Sequence, residues 1–200
     1  MEFTITIIFR RITKLLIRLF LSRQKRTGKF FLILFSLIVI FSFSSCTTKD
    51  NAGAKPESSQ IGRTAPEFTL NNINGNPMSL SDFRGNVVLL QFWATWCPLC
   101  RNSIKDLGPV YEHYKSKGFH ILAISLDTGQ NVKDKITAFA VQHKMNYHIL
   151  LGDKKTTSSY SVNGIPTSFL VDKEGRIRNY YLGYQPEFAK DLNKSIEELL

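Results

Sequence analysis

Cysteine is the scarce residue of this chain: its 200 residues contain three, Cys46, Cys97 and Cys100. A fold stapled by disulfides needs more of them, at longer spacings, so that class is excluded. Acidic residues are scarce at one end. Residues 1–45 carry Glu2 alone against eight Lys and Arg, which accounts for most of the formal net charge of +10; beyond them 18 basic residues face 15 acidic ones. A net of +3 over that remainder is an ordinary solvated surface, and it contains no basic stripe interleaved with aromatics, so the sequence argues against nucleic acid as a partner. The four histidines, His113, His120, His143 and His148, supply no pair at zinc-ligand spacing that would complete a metal site with Cys97 and Cys100. His120 falls inside an apolar strand pattern and reads as a satisfied core residue. No internal repeat is present.

The basic cluster ends at Lys29, just before Phe30 to Phe43, a run of 14 almost wholly apolar residues. A positive flank followed by such a run is an export signal, and its length suits the hydrophobic region of a signal peptide better than the roughly 20 residues of a spanning helix. Residues 30–48 nevertheless carry no charge, so an uncleaved anchor stays open beside cleavage. Upstream, Ile12, Leu15, Leu16, Leu19 and Phe20 recur at helical spacing among Arg and Lys, the pattern of a basic amphipathic segment on an anionic membrane surface. From Thr47 to Gln60 the chain is polar, small and without apolar periodicity, a flexible spacer. The expected organisation is a signal peptide or membrane anchor over 1–45, a linker over 46–60 and one globular domain over 61–200.

Within that domain, Glu67–Leu70 and Pro77–Leu80 read as short strands around the turn Asn74-Gly75-Asn76. Val87–Phe92 and Phe119–Leu126 are continuous apolar runs of strand length, the pattern of central strands buried on both faces. A helix is expected from Pro98 through Leu107 toward Tyr114, kinked at Pro109. Val132–His143 shows Val132, Ile136, Phe139 and Ala140 on one face, and Tyr147–Leu151 reads as a short strand. Thr167–Val171 and Ile177–Leu182 flank Asp172-Lys-Glu-Gly175 as a hairpin, and Glu187–Leu200 closes the chain as an amphipathic helix. This is an α/β pattern, a mixed central sheet with helices on both faces and a right-handed helical crossover in its first half.

Chemistry concentrates where the first buried strand gives way to a helix, at Trp96-Cys97-Pro98-Leu99-Cys100. Unpaired amides and aligned peptide dipoles at a helix N-terminus stabilise an anion, so a cysteine at the cap ionises more readily than free cysteine. In such motifs the thiol pKa falls from ~8.5 to between ~3.5 and ~7.5. Cys97 takes the cap and the role of attacking thiolate, with Pro98 at the first helical position, where proline is tolerated. Cys100, one turn in and more buried, is placed to resolve a mixed disulfide. Half of a zinc site and an inert structural disulfide are the bland alternatives.

Phe92-Trp-Ala-Thr-Trp-Cys-Pro-Leu-Cys-Arg101 resembles the active-site segment of the thioredoxin superfamily. Ala65-Pro66-Glu67-Phe68-Thr69-Leu70 before it, and Gly164-Ile165-Pro166-Thr167 with Phe169, Asp172 and Gly175 after it, are similar to the TlpA/ResA branch of membrane-anchored thiol–disulfide proteins, over essentially all of 61–200. The resemblance implies a thioredoxin-like fold with an N-terminal β extension and a helical insertion at Val132–His143. It implies a redox-active Cys97–Cys100 disulfide with no other cofactor, a cis Pro166 facing the two sulfurs, Ile165 offering backbone groups to an extended substrate, and Trp96 as an apolar docking rim. Trp93 is expected in the core. The branch reduces exported cysteines, including the haem-binding pairs of c-type cytochromes, with electrons from a transmembrane thiol donor. Expected partners are therefore disulfide-bearing proteins, that donor and the membrane, with the domain on the extracytoplasmic side of a bacterial envelope. Ser44-Ser45-Cys46 resembles a lipobox, which implies a lipid anchor on Cys46.

Two rivals share the fold. A peroxiredoxin-like peroxidase uses a lone cysteine after a Pro-Thr-type segment, whereas Ala94-Thr95-Trp96 precedes Cys97; a copper-delivery protein places three residues between its cysteines, and here there are two. One family feature is missing. Positions 91 and 103, where relatives carry an acid beneath the cysteines, hold Gln91 and Ser103, so Cys100 is expected to lose its proton to water or to a carboxylate that the sequence does not locate.

Overall fold

The computed structural model describes residues 60–200. The expectations for 1–45, for the linker and for Cys46 lie outside those residues. A two-stranded antiparallel hairpin opens the domain, β1 (Thr69–Asn71) with β2 (Pro77–Ser79). A 3-10 turn, Leu80–Phe83, leads into the central sheet, whose strands are β3 (Val87–Trp93), β4 (Phe119–Ser125), β5 (His148–Leu151), β6 (Thr167–Val171) and β7 (Ile177–Leu182). Their spatial order is β5-β4-β3-β6-β7. β3–β4 and β4–β5 pair in parallel, while β3–β6 and β6–β7 are antiparallel, so the sheet is mixed as expected.

Helix α1 (Pro98–Tyr114) crosses from β3 to β4, α2 (Val132–Gln142) from β4 to β5, α3 (Lys154–Ser159) follows β5, and α4 (Phe188–Glu197) ends the fold. Because side chains alternate along a strand, β3 feeds two cores. Val87, Leu89 and Trp93 face α1, α2 and α4, where Ile104, Leu107, Ile136, Phe139, Leu192 and Ile196 meet them. Val88, Leu90 and Phe92 face the other way, against Phe68 and Leu70 of the hairpin segment, Leu80 and Phe83 of the 3-10 turn, and Tyr160 at the end of α3. Every residue of β3 is buried, which is why its sequence runs apolar without alternation.

Several expectations need correction. Leu80 does not extend β2: Asp82 Oδ2 accepts the Ser79 amide at 2.8 Å, and that cap turns the chain into the 3-10 segment. Glu67 and Phe68 lie outside β1, Tyr147 precedes β5, and His143 is the C-cap of α2. No sequence pattern announces α3, since Lys-Lys-Thr-Thr-Ser-Ser has no apolar period; Asp153 starts it by accepting the Thr156 amide at 2.7 Å. α1 continues past Pro109 to Tyr114, the expected extent, with Pro109 on its exposed side. His120 is half-buried in β4, but its Nδ1 is enclosed without a partner. The fold also brings His148 to it, ring centroids 6.1 Å apart, with Phe83 edge-on to both. Among the described residues, no helix is long and apolar enough to cross a membrane.

Candidate active site

The site lies at the carboxyl end of β3. Trp93 closes the strand fully buried, its ring 5.2 Å from that of Phe139 on α2, as a core residue. The chain then turns through Ala94-Thr95-Trp96, with the Cys97 amide donating to Ala94 O at 3.2 Å. Cys97 is the N-cap of α1 in extended backbone, and Pro98 occupies the first helical turn. The Cys97 sulfur accepts the Cys100 amide at 3.1 Å, so one of the orphan donors of the helix end is aimed at the sulfur. The two cysteines form a disulfide with Cα atoms 5.3 Å apart. Cys100 is fully buried whereas Cys97 keeps 4% of its surface, which makes Cys97 the sulfur a partner can reach.

The loop before β6 faces this pair. Ile165–Pro166 is cis, and Ile165 O stands 3.7 Å from the Cys97 sulfur. Thr167 Oγ1 donates to Gly164 O at 2.6 Å and the Gly183 amide donates to Pro166 O at 2.7 Å, which ties the loop to the end of β7. The fold thus brings position 165 to the Cys97–Cys100 pair, with the cis bond to Pro166 next in the chain.

Residues 61–180 match the AhpC/TSA family. The chain belongs to that family. It is 32% identical over 158 residues to the thiol-disulfide oxidoreductase ResA of Bacillus thuringiensis (strain Al Hakam), covering 76% of this chain and 89% of the relative. A same-named protein of Bacillus cereus is 34% identical over 134 residues, 66% of this chain and 75% of that one. The thioredoxin domain of a thiol-disulfide oxidoreductase from Bacteroides vulgatus superposes with a TM-score of 0.60 at 32% identity, covering 69% of this chain and 96% of that domain. Within the AhpC/TSA family the chain is thus a thiol–disulfide oxidoreductase of thioredoxin-like fold.

Around the disulfide this AhpC/TSA domain exposes an apolar rim. Trp96 is 61% and Leu99 50% exposed, large fractions for residues beside a buried disulfide. Leu182, at the end of β7 and 45% exposed, lies beside Gly164: a Cβ there would meet its Cδ1 at 3.8 Å. Leu182 escaped sequence reasoning because the last residue of a strand pattern carries no mark of where the strand ends in space.

Beneath the pair, Gln91 Nε2 donates to Ser103 Oγ at 2.9 Å, and Ser103 Oγ donates to Cys100 O at 3.0 Å. Both residues are buried, and Gln91 Oε1 has no hydrogen-bond partner. A neutral amide–hydroxyl pair thus lies beside Cys100, with no carboxylate at either position. A carboxylate that sequence reasoning did not single out, Asp127, sits just past β4 and reaches Thr95 of the active-site turn. Burial by itself pushes its carboxyl up. The Thr95 hydroxyl and amide, the Ser125 hydroxyl and Lys135 outweigh that and hold it below the ordinary carboxylate value. Its signal in the sequence is an acid closing an apolar strand. Among the described residues no group of three or more His, Cys, Asp or Glu converges as a metal site.

Proposed function

We propose that this oxidoreductase reduces disulfides of exported proteins from a membrane tether on the extracytoplasmic side of a bacterial envelope. The observation that carries the reading is the asymmetry of the pair: Cys97 caps α1 beside Ile165 O and keeps 4% of its surface, and Cys100 is fully buried. In the dithiol form, the Cys97 thiolate attacks one sulfur of a substrate disulfide. The substrate S–S bond breaks, its other sulfur leaves as a thiolate, and a mixed disulfide joins Cys97 to the substrate. Cys100 then loses its proton and attacks the Cys97 sulfur. The mixed disulfide breaks, the second substrate thiol leaves, and the Cys97–Cys100 disulfide holds the two-electron deficit until a transmembrane dithiol donor restores it.

Pro166 and Ile165 place an extended substrate strand over the sulfurs, and Trp96 supplies the apolar contact on which it docks. The export pattern of residues 10–43 supports the extracytoplasmic location, and Cys46 is the lipid-anchored residue in this reading. Maturation of c-type cytochromes is the substrate context that the family resemblance favours. Direct attack by Cys97 is tested by trapping. Cys97→Ser abolishes reduction of a disulfide substrate, and Cys100→Ser accumulates a mixed disulfide on Cys97; accumulation on Cys100 in the Cys97→Ser variant instead would reverse the two roles.

A further inference from the structure

The turn that leads into Cys97 is held at one residue from both sides. The Thr95 amide donates to Asp127 Oδ2 at 2.8 Å and its hydroxyl to Asp127 Oδ1 at 2.6 Å, while Thr95 O accepts from Arg101 Nη2 at 3.4 Å. Asp127 also accepts the Ser125 hydroxyl at 2.9 Å and Lys135 Nζ at 3.2 Å. Its side chain is wholly buried, while that of Lys135 is 55% exposed. Four donors fill a carboxylate that has about four lone-pair sites, so no lone pair is left to take a proton from a thiol. Asp127 is therefore a fixed negative charge rather than a base, two residues from the reactive sulfur through Thr95.

Among the described residues, three elements supply the charged groups that touch this turn or its carboxylate: Arg101 from α1, Asp127 from the end of β4 and Lys135 from α2. A buried anion beside a thiol opposes its ionisation, and the cation paired to that anion relieves the opposition. α2, the segment inserted between β4 and β5, thereby supplies a cation to Asp127 as well as an apolar face to the core.

We propose that Asp127 is a positioning residue for thiol exchange, fixing Cys97 through Thr95, and that the Asp127–Lys135 pair sets how readily Cys97 ionises. The proposal rests on Cys97 being the exchanging thiol, as read above, but its test does not. The reduced full-length protein carrying Cys100→Ser is titrated by the ultraviolet absorbance of the thiolate, so that Cys97 is the sulfur of the motif being followed. Asp127→Asn removes the anion and leaves Lys135; the titration moves to lower pH by on the order of one unit, about a tenfold gain in thiolate below the midpoint. Lys135→Met removes an exposed cation and leaves the anion, and the titration moves up, by about a few tenths of a unit because solvent screens the lysine. Opposite shifts mark an electrostatic role. If both titrations overlie the parent while Asp127→Asn only lowers the melting temperature, or if both shift in the same direction, the proposal is wrong. Should Asp127→Asn fail to fold, Lys135→Met decides alone: an upward shift supports the pair and no shift overturns it. The trapping experiment reads the nucleophile separately, so a reversed assignment of Cys97 and Cys100 is not mistaken for a failure of the Asp127 proposal.

Discussion

Replacing Gln91 by Glu tests whether the missing acid limits this oxidoreductase. Gln91 is fully buried below Cys100, linked to it through Ser103, and its Oε1 meets no donor. The isosteric Glu exchanges the Nε2 donor for an oxygen, so the Ser103 hydroxyl turns from Cys100 O to the new carboxylate. That swap gives up two neutral hydrogen bonds, Gln91 Nε2 to Ser103 Oγ and Ser103 Oγ to Cys100 O, and gains one charge-assisted bond. The wild type already leaves an oxygen unpaired there, so the added cost is that of burying a carboxyl in place of an amide and of the hydrogen bond given up, about 1–3 kcal/mol. For a domain of this size each kcal/mol is worth roughly 3 °C, so the melting temperature falls by roughly 3–9 °C. Burial drives the Glu titration upward toward neutrality, where a base accepts protons most usefully. A positioned base contributes ~10²–10⁴-fold, and because Ser103 meets the Cys100 carbonyl rather than its sulfur the gain belongs at the lower end, ~10²-fold in the release of the second substrate thiol. Stopped-flow release from a preformed mixed disulfide, followed between about pH 6 and pH 8, reads this directly. Wild-type release as fast as the variant at every pH would show that Cys100 already has an efficient proton acceptor, and the reasoning from Gln91 and Ser103 would fail.

Stability should depend on pH through the paired histidines. Burial lowers the pKa of His120, and burial together with the charge of His120 lowers that of His148, so the folded state binds fewer protons than the unfolded chain just below the ordinary histidine value of ~6.5. The stabilisation is complete above that value and is lost as pH falls toward the depressed folded values; His120→Leu should flatten melting temperature against pH there, and an unchanged slope refutes the assignment. Trp96→Ala and Leu182→Asp should raise KM for a protein disulfide several-fold while leaving turnover of a small disulfide unchanged, because they remove apolar docking area and not the sulfur chemistry. Equal loss with both substrates would place the two residues in the fold rather than in docking.

The parts of the fold that could be read from residues are those in which burial imposes a pattern. β3 and β4 are apolar along their whole length because both faces are covered, and α4 shows a helical period because one face is. The short 3-10 turn and α3 escaped because a side-chain oxygen starts each: Asp82 and Asp153 cap segments that have little apolar repeat of their own. At the site, Cys97 and Cys100 declare themselves by spacing and helix position, and Pro166 and Ile165 came from family resemblance alone. Asp127 and Leu182 needed the fold, since a link from Thr95 to Asp127 spans 32 positions and only the parallel pairing of β3 with β4 brings their ends together. His120 shows the converse limit: an apolar context placed it correctly near the core, but not the unpartnered Nδ1 or the neighbouring His148.

The central claim, that Cys97 and Cys100 act as one two-electron pair, is tested most directly by equilibrating the protein in graded glutathione buffers, quenching with an alkylating label and weighing the intact chain. The two cysteines should gain or lose labels together, with a single midpoint. A population carrying one label on this motif at equilibrium, or a pair that stays oxidised across the whole series, would contradict it.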